Sequence, residues 1–317
     1  MKLHVWKRWV HFWNQKEDGR AMAGFRIAIG LTLLYTFGWP WFAGAAQAIW
    51  VDIAFGGIRD YQSLPWLFEL FGDSSPRTVY TILSMGLAAG VFLILGIFPR
   101  IASLIGLIVI NNISWHNIHA GGGHDDLIAN ALWILIFTDS AATYSLSTKY
   151  KTGSWISEQK ISAWPRYLIL IQLILMYVST GWQKLSSHWL PFGEMDALWF
   201  ILQQPTWARM DMQWLAPYAW ITQLAVFFVW FFEAFSPLIF LMLYFENTSE
   251  KEGKIRSVLN TIPWRKLFCI FGVSMHCAIS LGMVVGPFSM ASLAYYFGFI
   301  PPKERSNSSP ILQSPAP

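Results

Sequence analysis

The sequence predicts an all-α protein: a polytopic helical bundle in a membrane, with about eight spans and two outer interfacial segments. Three observations carry this. Apolar residues make up 55% of the 317 and charged residues only 13%, where a soluble domain carries about 25% charged. The apolar residues fall in long blocks separated by polar, Pro- or Gly-containing breaks. The 19 Trp suit the aromatic belts found at membrane–water interfaces. The net charge of +4 comes without a basic run interleaved with aromatics, so no nucleic-acid partner is expected.

Residues 1–20 are basic, with Lys2, Lys7, Arg8, Lys16 and Arg20, and Trp6, Trp9, Phe12 and Trp13 recur beside them at helical spacing. This predicts a short amphipathic helix lying on the cytoplasmic membrane surface. No apolar core precedes a small-residue cleavage site, so no removable signal peptide is expected. Glu17 and Asp18 stand where the start of a helix favours negative charge. The first span covers 21–37 and contains Arg26, which either snorkels to the interface or finds a partner inside the membrane. Segment 39–77 is broken by Pro40, Pro65 and several Gly yet holds Trp39, Trp41, Trp50 and Trp66; it reads as outer and semi-interfacial, with one or two short helices.

The second span is 78–98 and the third 101–115, joined by a turn at Pro99-Arg100. Residues 116–126 gather His116, His119, His124, Asp125 and Asp126 around three glycines, before a fourth span at 127–138. A polar connector, 139–165, leads to the fifth span, 166–181. Segment 188–217 is a second outer stretch rich in Trp and Pro. The sixth span, 219–245, contains Glu233, with Pro237 beyond it; 246–266 is the most charged connector. The seventh span, 267–285, contains His276, and a short eighth covers 287–300. Three regions follow: a cytoplasmic amphipathic segment 1–20, a transmembrane domain 21–300, and a Ser- and Pro-rich cytoplasmic tail 301–317 expected to be disordered.

Charge bias orients the bundle. With the N-terminus inside, the inner segments hold 17 of the 22 Lys and Arg and the outer segments four, Arg59, Arg77, Lys184 and Arg209. That asymmetry follows the positive-inside rule and predicts both termini in the cytoplasm. The setting expected is the plasma (inner) membrane of a bacterium, with membrane lipids as partners.

Candidate chemistry lies on the outer side. Lys184 ends an almost uncharged run and sits between Trp182 and Trp189, with Tyr177 two turns back. A lysine there is either an interfacial anchor or a working amine whose charged form is disfavoured by an apolar pocket. A nearby histidine of the 116–126 cluster could hold or pass a proton beside it. The His/Asp cluster could instead bind zinc, but its spacing matches no zinc motif, and no metal is expected. Glu233 and His276, with Arg26, are intramembrane polar groups, either functional or parts of a buried structural network. Cys269 and Cys277 lie on one helix about 12 Å apart in rise, too far for a disulfide.

Five patches in order carry a family resemblance: Arg20-Ala21-Met22-Ala23-Gly24-Phe25-Arg26-Ile27-Ala28-Ile29-Gly30; Gly122-Gly123-His124-Asp125-Asp126-Leu127; Tyr177 to Trp189; Glu233-Ala234-Phe235-Ser236-Pro237; and His276 to Pro302. On these the chain resembles the HTTM (horizontally transferred transmembrane) domain, the membrane domain shared with vitamin K-dependent gamma-carboxylase. The resemblance implies a lyase-like chemistry in which a lysine deprotonates reduced vitamin K, a menaquinol-like quinol. Oxygen then gives an epoxide and a strong base that drives carboxylation of a glutamate. By the Tyr-x3-Gly-x2-Lys-Leu-x3-Trp pattern the lysine is Lys184. The implied catalytic histidine is His124, with Ser114-Trp115 upstream. Tyr177, Trp182, Trp189, Trp115 and Asp125 are the implied substrate-binding residues around a lipophilic small molecule. Two departures stand out. Gln183 occupies the place of the carboxylase's other lysine, and the large extramembrane domain that helps bind protein substrates is not expected, so neither is a propeptide-guided protein substrate. The alternative is a non-catalytic scaffold or lipid-binding module in which Lys184 is only an anchor.

The topology makes one prediction independent of chemistry. Cysteines placed at Ser187 and Thr248 should react with an impermeant reagent from opposite sides of the membrane; labelling from one side would contradict the orientation.

Overall fold

The computed structural model describes residues 2–248 and 253–302. The expected disordered tail lies almost wholly outside these residues. Among the described residues the fold is all-helical apart from one short strand pair, with 68% helix. Three segments among the described residues are long and apolar enough to cross a bilayer by themselves: Arg20–Phe42, Pro76–Leu95 and Gln213–Ala234.

The amphipathic start is α1 (Lys2–Trp13), whose Trp6 and Trp9 are exposed. It runs into β1 (Lys16–Asp18), which pairs antiparallel with β2 (Lys160–Ser162), Glu17 opposite Ile161. Neither strand is visible as alternation in the sequence, because three residues are too few to show a period. Glu17 does not cap a helix. Its buried carboxylate accepts two bonds from Arg166 Nε, at 2.8 and 2.9 Å, and Arg166 also donates to Gly298 O at 3.2 Å. One ion pair thus ties the N-terminal segment, the start of α9 (Trp164–Gln183) and the 3-10 turn at Gly298 together.

The central helix is α2 (Arg20–Phe42). It runs past the expected end at 37 because Pro40 lies within its last turn, where the missing N–H costs a single bond. Phe25, Ile29, Leu33 and Phe37 recur every four residues and are fully buried. Two short helices follow, α3 (Ala45–Trp50) and α4 (Trp66–Phe71), as expected of the 39–77 segment. Then come α5 (Pro76–Leu95), α6 (Pro99–His116), α7 (Gly123–Ile136) and a short α8 (Leu146–Thr152) inside the connector.

α2 crosses α5 at two glycines. A Cβ on Gly30 would lie 2.8 Å from Gly90 O, and one on Gly90 would lie 2.9 Å from Gly30 O. The backbones touch there, the close approach that small residues permit in membrane bundles. Above the crossing, Arg26 is completely buried and does not snorkel. Its guanidinium donates to Leu93 O at 2.5 Å, Ile94 O at 3.4 Å and Tyr144 O at 2.7 Å. A cation thereby caps the carbonyl end of α5, where the helix dipole favours positive charge.

The second half consists of α9 (Trp164–Gln183), α10 (Ala197–Leu202), α11 (Ala219–Ala234), α12 (Leu238–Glu246), α13 (Lys254–Leu259), α14 (Trp264–Gly282) and α15 (Phe288–Tyr295), the last continuing as a 3-10 turn to Phe299. The segment 219–245, expected as one span, is two helices broken at Phe235-Ser236-Pro237. Pro237 has no N–H to give Glu233 O, and the freed carbonyl accepts instead from Ser236 N at 3.3 Å and Ser236 Oγ at 2.9 Å.

The α5 cap yields a paired test. Gly96 (φ 69°) and Gly72 (φ 88°) both end helices in the left-handed region. A Cβ at Gly72 meets nothing, whereas one at Gly96 would fall 2.3 Å from Arg26 Nη1. Gly72→Ala should cost about 1 kcal/mol, from the backbone alone. Gly96→Ala should cost about 2 kcal/mol more, by displacing charged hydrogen bonds. Thermal unfolding in detergent measures both; equal losses would mean that Arg26 contributes nothing to the cap.

Candidate functional site

The C-terminal end of α9 is fixed to the break between α11 and α12. Gly181 makes this possible: a Cβ there would lie 2.6 Å from Ala234 N, so the two backbones are in contact. Beyond it, Lys184 caps α9, its N–H bonding Gly181 O at 3.3 Å. The Lys184 ammonium donates to Glu233 Oε2 and stands 4.8 Å above the Trp189 ring. The carboxylate is buried, and the lysine side chain keeps 21% exposure. Trp182, largely exposed, gives its indole N–H to Ala234 O at 3.2 Å, a carbonyl freed by the helix break. The Gly, Trp, Lys and Glu of two separate sequence patches therefore form one joint. An ammonium that donates to a carboxylate has no lone pair for a substrate proton; to act as a base, Lys184 must first pass a proton to Glu233.

Deeper in the bundle Tyr177 is buried. Its hydroxyl lies 2.7 Å from both His276 Nε2 and Tyr296 Oη. This three-residue network joins α9, α14 and the C-terminal turn. Gly272 is required beside it, because a Cβ there would overlap Tyr296 Oη. Tyr177 is thus a core hydrogen-bonding residue.

His124 occupies a different place. It stands in the first turn of α7, ahead of the apolar run that begins at Leu127, with Nε2 3.3 Å from Asp125 Oδ1. Asp125 Oδ2 accepts the Gly122 N–H at 3.0 Å, which holds the carboxylate beside the imidazole. Gly121 must be glycine for this approach, since a Cβ would lie 2.6 Å from Asp125 Oδ2. Both side chains line a cavity of about 230 Å³ whose walls are mainly Tyr35, Trp50, Ile110 and Ile113. Arg209 and Gly286 close it from the other half of the chain. They arrive through a bridge between Ala208 and Met283, with Val284 N bonding Trp207 O at 2.7 Å and Arg209 Nη2 donating to Met283 O at 3.2 Å. Burial lowers the His124 pKa from its ordinary value, against the pull of Asp125 and Asp126. The imidazole is neutral at neutral pH and can accept a proton.

The structure gathers some of the expected residues and separates others. His124 and Asp125 share the cavity; Lys184 does not line it and makes no hydrogen bond or ion pair with His124 among the described residues. Trp115 is 79% exposed and lines a separate recess with Trp66, while its neighbour Ser114 faces the cavity, because adjacent helical residues point about 100° apart. The three loop histidines do not converge. His116 is buried between the Tyr61 and Phe68 rings, at 3.8 and 4.0 Å, and bonds Ser74 Oγ at 2.8 Å, whereas His119 is exposed.

The profile of the HTTM domain matches residues 14–270. The chain belongs to the HTTM family. Lys184, Glu233 and His124 fall inside the matched region, whereas His276 and Tyr296 fall beyond it. No curated protein and no solved structure matches the chain. Family membership makes this a membrane protein, in agreement with its apolar helices. Arg209 and Tyr35 escaped the sequence reading: in this HTTM chain they reach the His124 cavity only through tertiary packing, and an arginine in a loop carries no local mark.

The joint between α9 and α11 is testable as a double-mutant cycle. Lys184→Gln or Glu233→Gln alone should each cost about 2 kcal/mol, at the lower end for a broken buried pair because Lys184 is partly exposed. The double variant should cost clearly less than the sum. Chemical denaturation in detergent gives the coupling, and strictly additive losses would show that the pair is not energetically joined.

Proposed function

We propose that this HTTM protein binds a lipophilic molecule with a hydroxylated ring, of the quinol class, in the outer cavity at His124, and that His124 takes a proton from it. The observation that carries the reading is the cavity itself. Its walls are mostly apolar, and His124, Asp125 and Arg209 converge on it, the usual composition of a small-molecule site. About 230 Å³ suits a ring, with any isoprenoid-like tail left in the bilayer. The neutral imidazole accepts the hydroxyl proton: the substrate O–H bond breaks and an N–H bond forms. Asp125, 3.3 Å away, stabilises the resulting imidazolium, and Arg209, which lines the same cavity, offsets the negative charge of the oxyanion that remains. Oxidation and carboxylation beyond this step rest on the family resemblance alone. On charge bias the proposal places the protein in a bacterial plasma membrane with about eight spans and both termini cytoplasmic.

Lys184 supports a second reading. The Tyr177-to-Trp189 pattern favours it as the base, while its bond to Glu233 and its stacking on Trp189 favour an anchor. We assign it the anchoring role. One assay separates the roles. Membranes are given a reduced naphthoquinone, bicarbonate and a glutamate-containing peptide, with binding followed by tryptophan quenching and turnover by epoxide and carboxylated product. His124→Asn should lower turnover at least about 100-fold. Lys184→Arg, which keeps the pair with Glu233, should stay within a few-fold of wild type. Activity should persist as pH falls past the ordinary imidazole value of about 6.5, because His124 stays neutral below it. Loss in Lys184→Arg with retention in His124→Asn would move the base to Lys184. Binding without turnover would leave a lipid-binding module, the alternative to an enzyme.

A further inference from the structure

A second cavity, of about 660 Å³, lies at the opposite end of the bundle, between α12, the first turn of α14 and the C-terminal turn. Met242, Trp264 and Phe299 form its apolar floor, and Arg265 and Lys266 stand at its rim. Among the described residues its charge is unbalanced. Among the described residues Glu246 is the single carboxylate lining it, 3.3 Å from the Arg265 guanidinium, and Lys266 makes no ion pair. α14 has no acidic residue in its first turn, so both cations sit at the positive end of a 19-residue helix. Cations at that end are disfavoured unless an anion joins them. α13 adds Lys254 and Arg256 alongside.

The surroundings say which anion. Next to the cavity both helices turn apolar side chains outward: Leu241 and Tyr244 on α12, at 43% and 50% exposure, and Leu267 and Ile270 on α14, at 46% and 63%. α13 does the same with Ile255 and Val258. A soluble anion would leave these surfaces uncovered, while a phospholipid covers them with its chains and places its phosphate among the cations. We propose that this cavity is a binding site for an anionic phospholipid, with the headgroup phosphate held by Arg265 and Lys266 and the acyl chains lying against α12 and α14. A short basic helix with exposed apolar residues, as α13 is, suits the same interface.

The test uses the purified full-length protein in a nonionic detergent, with retained lipid read by native mass spectrometry and unfolding by thermal shift. The probes are dioleoylphosphatidylglycerol, dioleoylphosphatidylcholine and inorganic phosphate. Phosphatidylglycerol should remain bound and raise Tm by several degrees; phosphatidylcholine and phosphate should do neither. Arg265→Gln/Lys266→Gln should weaken phosphatidylglycerol retention about tenfold or more, at about 1 kcal/mol for each interfacial cation. Lys266→Glu alone, at an exposed position, guards against a folding defect and should also abolish the Tm shift. Lys149→Gln/Lys151→Gln removes the same charge elsewhere and should change nothing. Equal shifts from phosphatidylcholine, a shift from phosphate alone, or retention unaffected by the Arg265 and Lys266 substitutions would each overturn the site.

Discussion

The guanidinium of Arg26 is the constraint around which the first half of the protein is arranged. It is fully buried with no carboxylate bonded to it among the described residues, and its charge is met by carbonyls of Leu93, Ile94 and Tyr144. A charge placed so deep is tolerated only because three dipoles face it at once. That requirement fixes the end of α5, the path of the 139–148 connector and the height of α2 against both. The glycine pair Gly30 and Gly90 then lets α2 and α5 touch. With these settled, α2 can present the apolar ladder from Phe25 to Phe37 to its neighbours, and Tyr35 and Trp50 are carried to the outer cavity.

The second half repeats the principle at the opposite end. Pro237 breaks the helix after Glu233, and the break frees carbonyls that Trp182 and Ser236 then satisfy. Gly181 brings α9 close enough for Lys184 to bond Glu233. The result is a polar joint between the end of α9 and the α11–α12 break. The His124 cavity is built differently, from a glycine-rich turn on one side and the Arg209 and Gly286 loops on the other. Proton chemistry suits the cavity, where a neutral base faces an apolar space. Mechanical support suits the joint, where the cation is already partnered.

Much of the fold was legible in the sequence. Helices α2, α5, α6, α7, α9 and α14 fall close to the expected apolar blocks, because burial in a membrane leaves a long, uncharged signature that short-range patterns cannot imitate. The division of 219–245 was signalled by Pro237 but outweighed by the unbroken apolar composition around it. β1 and β2 were invisible, since three-residue strands are fixed by the Glu17–Arg166 pair rather than by periodicity. At the candidate site, His124 and Asp125 were legible from the glycine-rich turn. The partnership of Lys184 with Glu233 was not, because the two residues lie 49 positions apart and meet only across a helix crossing. Trp115 shows the limit of reading by proximity in sequence: one residue away from the cavity-lining Ser114, it faces outward.

The central claim is that the lipophilic ring sits at His124 and not against Lys184. Photocrosslinking with an azido-naphthoquinone, followed by peptide mapping of the adducts, tests it without requiring turnover. The account predicts adducts on Tyr35, Trp50 and the stretch from Asn117 to His124, competed away by unlabelled quinone. Adducts concentrated on Trp182, Trp189 and the α11 residues around Glu233 would contradict it.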